Sequence, residues 1–142
     1  MARDMTDDER RAFLLEGTRT GKVAWVSPKG NPQVAPIWFV LDGDDVLFTT
    51  HEDSAKGRAF TEGTRLSLLV DDQVPPFSYV KVDGTVSLST DLDELVAVAT
   101  RIGGRYMGED RAGEFGRRNG VPGELVVRLV PTKLTALAGI SD

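Results

Sequence analysis

The chain has 142 residues, enough for one domain with a hydrophobic core and too few for two ordinary ones. Its 22 acidic and 17 basic side chains give a formal charge of −5, which argues against a general affinity for nucleic acid or anionic membranes. The absence of cysteine excludes disulfides, thiolate metal sites and cysteine nucleophiles, and the single histidine with scattered carboxylates shows no metal-ligand spacing.

The first half of the chain predicts a capped helix followed by strands. Thr6 and Glu9 form a capping box for a helix that ends at Gly17. Alternating apolar residues and turn signals then predict three strands and a second helix. The predicted strands are Lys22 to Ser27, Gln33 to Leu41 and Val46 to Thr50, and the helix runs from about Ser54 to Thr61.

The second half predicts three more strands and a longer helix. The strands are Arg65 to Asp71, Phe77 to Ser89 with a bulge at Gly84, and Glu124 to Leu137. Asp91 caps the helix, which Gly103 and Gly104 are expected to weaken or end. Six antiparallel strands with helices between them predict a single α+β domain over residues 1–142, built on a barrel-like sheet whose closure hides the edges.

The segment after the third strand predicts an anion site. Asp53 or Ser54 can cap the helix that follows, which puts Lys56 and Arg58 in its first turns. Cations are disfavoured at a helix N-terminus, so two of them there indicate a bound anion, with phosphate the usual candidate. A solvated helix face is the purely structural alternative.

Pro36 lies inside an otherwise regular strand, and Trp38 follows two residues later on the same face. Proline belongs at an edge, at a bulge or where something other than a strand packs alongside. The pattern therefore predicts either an edge strand with a core tryptophan or a flat aromatic ligand along this strand. Phe77 and Tyr79 repeat the pattern and also fit a simple core. The phosphate site and the aromatic strands together suggest a planar cofactor that bears a phosphate.

Four short motifs, in order and spacing, resemble a known family. They are P-Q-V-A-P-I-W-F (32–39), L-F-T-T followed by S-A-K-G-R (47–50 and 54–58), F-S-Y-V-K-V-D-G-T (77–85) and G-R-Y-M-G (104–108). The chain resembles the flavin-reductase-like split-barrel proteins, the pyridoxamine 5'-phosphate oxidase-like superfamily. Within it, the chain is most similar to the actinobacterial branch that uses the deazaflavin coenzyme F420.

The resemblance implies a six-stranded antiparallel split β-barrel with flanking helices, and a homodimer with the cofactor at the subunit interface. It implies that Ser54, Lys56 and Arg58 hold the cofactor phosphate. Thr49 and Thr50 would lie under the ribityl chain, and Val34, Pro36, Ile37 and Trp38 would line the ring. Phe77 and Tyr79 match positions near the ring or the phosphate tail, in either subunit.

The activity implied by the resemblance is transfer of a hydride from reduced F420 to a planar unsaturated small molecule, with no side chain assigned as acid or base. An FMN-dependent oxidase or reductase and a non-catalytic F420 or flavin carrier are the alternatives. The phosphate motif and the C-terminal extension of true pyridoxamine-phosphate oxidases are missing, which argues against that reaction. No signal peptide or membrane-spanning run is visible, so we expect a cytoplasmic protein.

Overall fold

Eight strands and four α-helices make up the computed structural model, which describes residues 1–142. The strands are β1 (Arg3–Asp4), β2 (Gly21–Val26), β3 (Pro32–Ile37), β4 (Val40–Asp42), β5 (Asp45–His51), β6 (Arg65–Asp71), β7 (Tyr79–Ser89) and β8 (Glu124–Ala138). The helices are α1 (Asp7–Leu15), α2 (Ala55–Ala59), α3 (Leu92–Met107) and α4 (Ala112–Asn119), with a 3-10 turn at Glu109–Arg111. None of these helices has the length and apolar character needed to cross a bilayer.

All strands belong to one antiparallel sheet with the order β3-β2-β6-β7-β8-β5-β4, and β1 pairs with the end of β8. The antiparallel sheet with flanking helices predicted from the sequence is confirmed. The prediction of six strands and a closed barrel is wrong in two details: there are eight strands, and the sheet path is open between β3 and β4. These two edge strands are consecutive in the chain and are joined by only Trp38 and Phe39.

The break between β3 and β4 corrects the prediction of one strand from Gln33 to Leu41. Trp38 and Phe39 lie outside the ladder because the chain leaves one edge of the sheet after Ile37 and joins the opposite edge at Val40. We call this two-residue crossing, Trp38 and Phe39, the seam.

Two hydrophobic clusters lie on opposite sides of β5. The larger one fills the inside of the sheet with 18 buried residues, including Phe39, Phe48 and Leu68. The smaller one lies between α3 and the outside of β4, β5 and β8, and Leu47 and Leu95 belong to it. Burial of both faces of β5 removes its side chains from water and fixes α3 against the sheet.

The predicted capping box of α1 is confirmed, with Glu9 N donating to Thr6 Oγ1 at 3.1 Å and Thr6 N to Glu9 Oε1 at 3.1 Å. The predicted irregularity at Gly84 is also confirmed by a register shift between β7 and β8. A Cβ at Gly84 would collide with the carbonyl oxygen of Val130. The strand predicted from Phe77 begins two residues later, because Phe77 adopts a left-handed conformation with φ of 62°.

The prediction that Gly103 and Gly104 weaken or end the long helix is wrong. The helix continues to Met107 and ends at Gly108, whose φ is 105°. Both glycines are buried at helical contacts, and a Cβ at Gly103 would lie 2.5 Å from Cβ of Phe115 on α4. Gly103 therefore allows α3 and α4 to pack closely, whereas Gly104 faces the side chain of Glu109 in the 3-10 turn, and these tertiary contacts offset the low helix propensity of both glycines.

Candidate cofactor-binding cleft

A cleft of about 420 Å³ opens beside the seam, between the end of β3, β5, α2 and the helices α3 and α4. Its lining residues are Thr20, Pro36, Ile37, Trp38, Thr49, Thr50, Lys56, Ile102 and Asn119. Six of the residues predicted for a cofactor site from sequence lie together here: Pro36, Ile37, Trp38, Thr49, Thr50 and Lys56. They come from β3, the seam, β5 and α2, because the seam carries the chain from the β3 edge of the sheet to the opposite edge, where β4 and β5 lie.

The hydroxyl of Ser54 is fully used within the protein. It donates to the His51 carbonyl at 2.7 Å and accepts the Gly57 amide at 3.0 Å, which caps α2. Because its one proton is given to His51, the 2.8 Å contact between Thr50 Oγ1 and Ser54 Oγ has Thr50 as the donor. Ser54 therefore shapes the start of α2 and orients Thr50, and it has no proton left for a phosphate.

The structure separates the two cations predicted to bind a phosphate. Lys56 lines the cleft and has no carboxylate within ion-pair distance. Arg58 is exposed, lies outside the cleft and donates Nε to the Asp53 carbonyl at 2.8 Å. The helix α2 spans only five residues, so Lys56 and Arg58 also lie in its last turn, where the helix dipole favours cations. Their position in the helix is therefore no longer evidence for a bound anion.

Trp38 forms an aromatic wall of the cleft. The expectation that it shares a strand face with Pro36 is wrong, because Trp38 lies in the seam. Its indole is 40% exposed and stacks on Tyr106 of α3, with ring centroids 5.0 Å apart and planes within 4°. Phe115 of α4 packs against it at 6.3 Å with a 58° tilt. The prediction that Pro36 lies on an edge strand is confirmed, since β3 ends the sheet.

Side chains of α3 replace ladder hydrogen bonds at the seam. The Tyr106 hydroxyl donates to the Arg19 carbonyl at 2.8 Å and accepts the Phe39 amide at 3.2 Å. Arg105 donates to the carbonyls of Leu14 and Phe39, each at 2.7 Å. Burial raises the pKa of the Tyr106 phenol, so it remains a neutral donor near pH 7. These contacts hold the backbone on which Trp38 stands.

Sequence reasoning assigned no role to several of these residues. Thr20, Ile102 and Asn119 line the cleft, and Arg105 and Tyr106 fix its aromatic wall. The available signal was the motif at positions 104–108, which carried the family resemblance without a physical reason. The structure supplies that reason, because this motif joins α3 to the seam.

The remaining predicted site residues lie elsewhere in the protomer. Val34 is 70% exposed on the outer face of β3. Phe77 and Tyr79 line a second cleft of about 660 Å³ together with Leu69, Asp71, Asp72 and Gln73. Its two carboxylates are paired with cations, Asp71 with Lys22 at 3.3 Å and Asp72 with Arg19 at 3.2 Å. One protomer therefore does not bring these residues to the cleft beside the seam.

The outer face of the β3-β2-β6 region carries exposed apolar side chains. Val34 and Val26 are 70% and 65% exposed, and Leu69 is also exposed. The helix α3 packs instead on β4, β5 and β8, so this face has no helix against it. Apolar patches of this kind are typical of surfaces that bind another molecule.

His51, the single histidine, ends β5 beside the cleft without lining it. Its Nδ1 accepts the Asp53 amide at 3.1 Å, so the neutral ring carries its proton on Nε2. The adjacent Glu124 has its pKa raised by burial. His51 is therefore a strand-end residue beside the cleft and not part of its lining.

Comparison with known structures places the fold among split-barrel proteins. The conserved hypothetical protein Rv2991 from Mycobacterium tuberculosis aligns with a TM-score of 0.79 and 22% identity over 93% of this chain and 84% of that chain. An F420 reductase aligns with a TM-score of 0.66 and 26% identity over 87% of this chain and 94% of that chain. HutZ, the heme storage protein from Vibrio cholerae, aligns with a TM-score of 0.66 and 16% identity over 87% of this chain and 89% of that chain.

The likenesses to Rv2991 and HutZ, at 22% and 16% identity, concern the fold alone. No curated protein matches the sequence. The family model described as pyridoxamine 5'-phosphate oxidase matches residues 6–138, which span every element from the α1 cap to the end of β8. The chain therefore belongs to the pyridoxamine 5'-phosphate oxidase family.

Proposed function

We propose that the protein is an F420-dependent reductase that transfers a hydride from reduced deazaflavin to a planar unsaturated small molecule. The observation that carries the proposal is the composition of the cleft beside the seam. An unpaired cation, Lys56, and an exposed aromatic wall, Trp38, border the same space as the hydroxyls of Thr49 and Thr50. This combination suits a ligand with an anionic end, a polyhydroxyl chain and a flat ring.

The residues of the cleft fit a phosphate-bearing deazaflavin. Lys56 supplies a positive charge that no protein carboxylate neutralises. Pro36 has no amide proton and lies on an edge strand, so its side of β3 is open to a flat group instead of a neighbouring strand. When bound, reduced F420 supplies the hydride, and the chain binds, orients and shields it. No side chain of the cleft is assigned as a general acid or base.

The choice of F420 over FMN rests on similarity to the F420 reductase at 26% identity over 87% of the chain. FMN is the second candidate, because the family description names an oxidase of pyridoxamine 5'-phosphate. Both cofactors end their ribityl chain in a phosphate, so Lys56 and the two threonines serve either one. A non-catalytic carrier would use the same cleft without turnover.

We also propose that the protein works as a homodimer, with Phe77 and Tyr79 of one protomer near the cleft of the other. The uncovered apolar face formed by Val26, Val34 and Leu69 supports this assembly. An isologous dimer through this face would remove those side chains from water. Light scattering at micromolar concentration tests the assembly, and a monomer at all concentrations would contradict it.

The decisive experiment for the cofactor is a pair of fluorescence titrations of the purified protein with F420 and with FMN. We expect a Kd in the micromolar range or tighter for F420 and weaker binding of FMN. Tight FMN binding without F420 binding would replace the proposal by its FMN alternative.

Turnover is tested separately, by following the absorbance of reduced F420 with a panel of quinones and other enones. Oxidation of reduced F420 that depends on the acceptor supports a reductase. Tight binding with no turnover for any acceptor would support the carrier.

A further inference from the structure

Asn119 is a polar side chain of the cleft that the proposed cofactor contacts leave unexplained. It borders the cleft at the end of α4, and its carboxamide makes no hydrogen bond to another protein group. The hydroxyl of Thr50, in contrast, already forms a hydrogen bond with Ser54 Oγ at 2.8 Å. Asn119 is half-buried, so the donors and the acceptor of its unpartnered carboxamide are open to water or to a ligand in the cleft.

Local structure does not account for an asparagine at this position. Asparagine is common just after a helix because it tolerates a left-handed conformation. Asn119 is instead the last helical residue, it does not have a positive φ, and the residue that follows it, Gly120, is the C-cap. Asparagine also has a low helix propensity. The residue type is therefore better explained by what its side chain faces.

The packing of α4 on α3 holds Asn119 in place. A Cβ at Gly120 would lie 2.5 Å from Cγ2 of Val96, and one at Gly116 would collide with Thr100. The two helices thus approach too closely for α4 to shift easily. Asn119 also shares a helix face with Phe115, four residues earlier, which packs against Trp38. The carboxamide and the aromatic wall consequently belong to one rigid surface.

A carboxamide presents a donor and an acceptor side by side, so it matches a ring edge on which an N–H adjoins a carbonyl. We propose that Asn119 is a specificity-determining residue that hydrogen-bonds such a lactam or imide edge of the planar ligand in the cleft. This inference rests on the proposed function, because deazaflavins and flavins both carry an imide N–H between two carbonyls. Lys56 then selects for the anionic end of the ligand, and Asn119 selects for the edge of its ring.

The test combines a protein change with a ligand change. The probes are 5-deazaflavin mononucleotide and its N3-methyl derivative, which keeps the ring and phosphate but lacks the imide proton. The protein variants are Asn119→Leu, similar in size without hydrogen bonds, and Asn31→Leu, the same change in an exposed turn. Thermal melting of each variant reports whether the fold is intact.

We expect Asn119→Leu to weaken binding of the unmethylated probe by about 10- to 100-fold, the loss for one or two unmade hydrogen bonds. Methylation of the ligand should weaken binding to the unchanged protein and to Asn31→Leu, and should change it less than about twofold in Asn119→Leu, where the contact is already gone. Equal effects of methylation on all three proteins would overturn the role of Asn119. If the unchanged protein binds neither probe, the proposed function fails and this inference fails with it.

Discussion

Replacing Arg105 by leucine should destabilise the protein, because the Arg105 side chain bonds the backbone at the seam and near it. The guanidinium donates to the carbonyls of Leu14, Gly17 and Phe39 at 2.7, 3.1 and 2.7 Å. Each charge-assisted hydrogen bond contributes about 1.5–3 kcal/mol. Burial lowers the pKa of Arg105, so its charge is partly desolvated and removing it recovers some free energy. We therefore expect a net loss of about 2–4 kcal/mol in the free energy of unfolding.

Urea denaturation followed by tryptophan fluorescence measures this loss, because Trp38 lies at the seam. A domain of this size loses about 3 °C of Tm per kcal/mol, so Tm should fall by about 6–12 °C. Arg105→Lys keeps the positive charge but cannot reach all three carbonyls. Its free energy of unfolding should therefore lie between those of the unchanged protein and Arg105→Leu. Arg101→Leu removes a single part-buried hydrogen bond, to the Leu41 carbonyl, and should cost about 1 kcal/mol. A change below about 0.5 kcal/mol in Arg105→Leu would refute the role of these bonds.

Three further changes test the cleft, the helix contact and the acidic turn. Lys56→Ala should weaken F420 binding by about 1–3 kcal/mol in titrations, whereas Lys133→Ala, the same charge change at an exposed site outside this cleft, should leave it unaltered. Gly103→Ala should cost about 1–3 kcal/mol in urea denaturation, because its Cβ would lie 2.5 Å from an atom of α4, and unchanged stability would contradict the close contact. Hydrogen bonds from Arg11 and Arg10 hold the pKa of Asp44 below its ordinary value. The Asp44 carboxylate therefore stabilises the fold above about pH 4, and this stabilisation is lost as the pH falls through the lowered pKa of the folded state. The free energy of unfolding, measured by denaturation at several pH values, should therefore decrease less steeply between pH 7 and 2 for Asp44→Asn than for the unchanged protein.

Local signals predicted the elements whose causes are local. The capping box at Thr6 and Glu9 and the irregularity at Gly84 are read from neighbouring residues, and both are present. The break at Trp38 was missed because its cause lies in α3, more than 60 residues away. Lys56 and Arg58 look equivalent in sequence, yet only Lys56 lines the cleft, because Arg58 turns back to the Asp53 carbonyl.

Contacts between residues far apart in sequence also explain why some cleft residues were not predicted. Ile102 and Asn119 come from helices whose position is set by packing on β4, β5 and β8, and by the glycine contacts between α3 and α4. Gly103 was interpreted from its propensity as a helix breaker, whereas its tertiary contact decides its effect. No local pattern in the chain encodes either contact.

The position of the seam would couple ligand binding in the cleft to the opening of the sheet. Trp38 is at once a wall of the cleft and half of the link between the two edge strands, so any motion that parts β3 from β4 also widens the cleft. A ligand held against Trp38 acts as a clamp on that motion. Its stabilising effect on local opening should therefore be concentrated in amides such as that of Phe39, which lies outside every strand and is held by Tyr106 alone. The two-residue break between β3 and β4 would thus turn occupancy of the cleft into rigidity of the sheet.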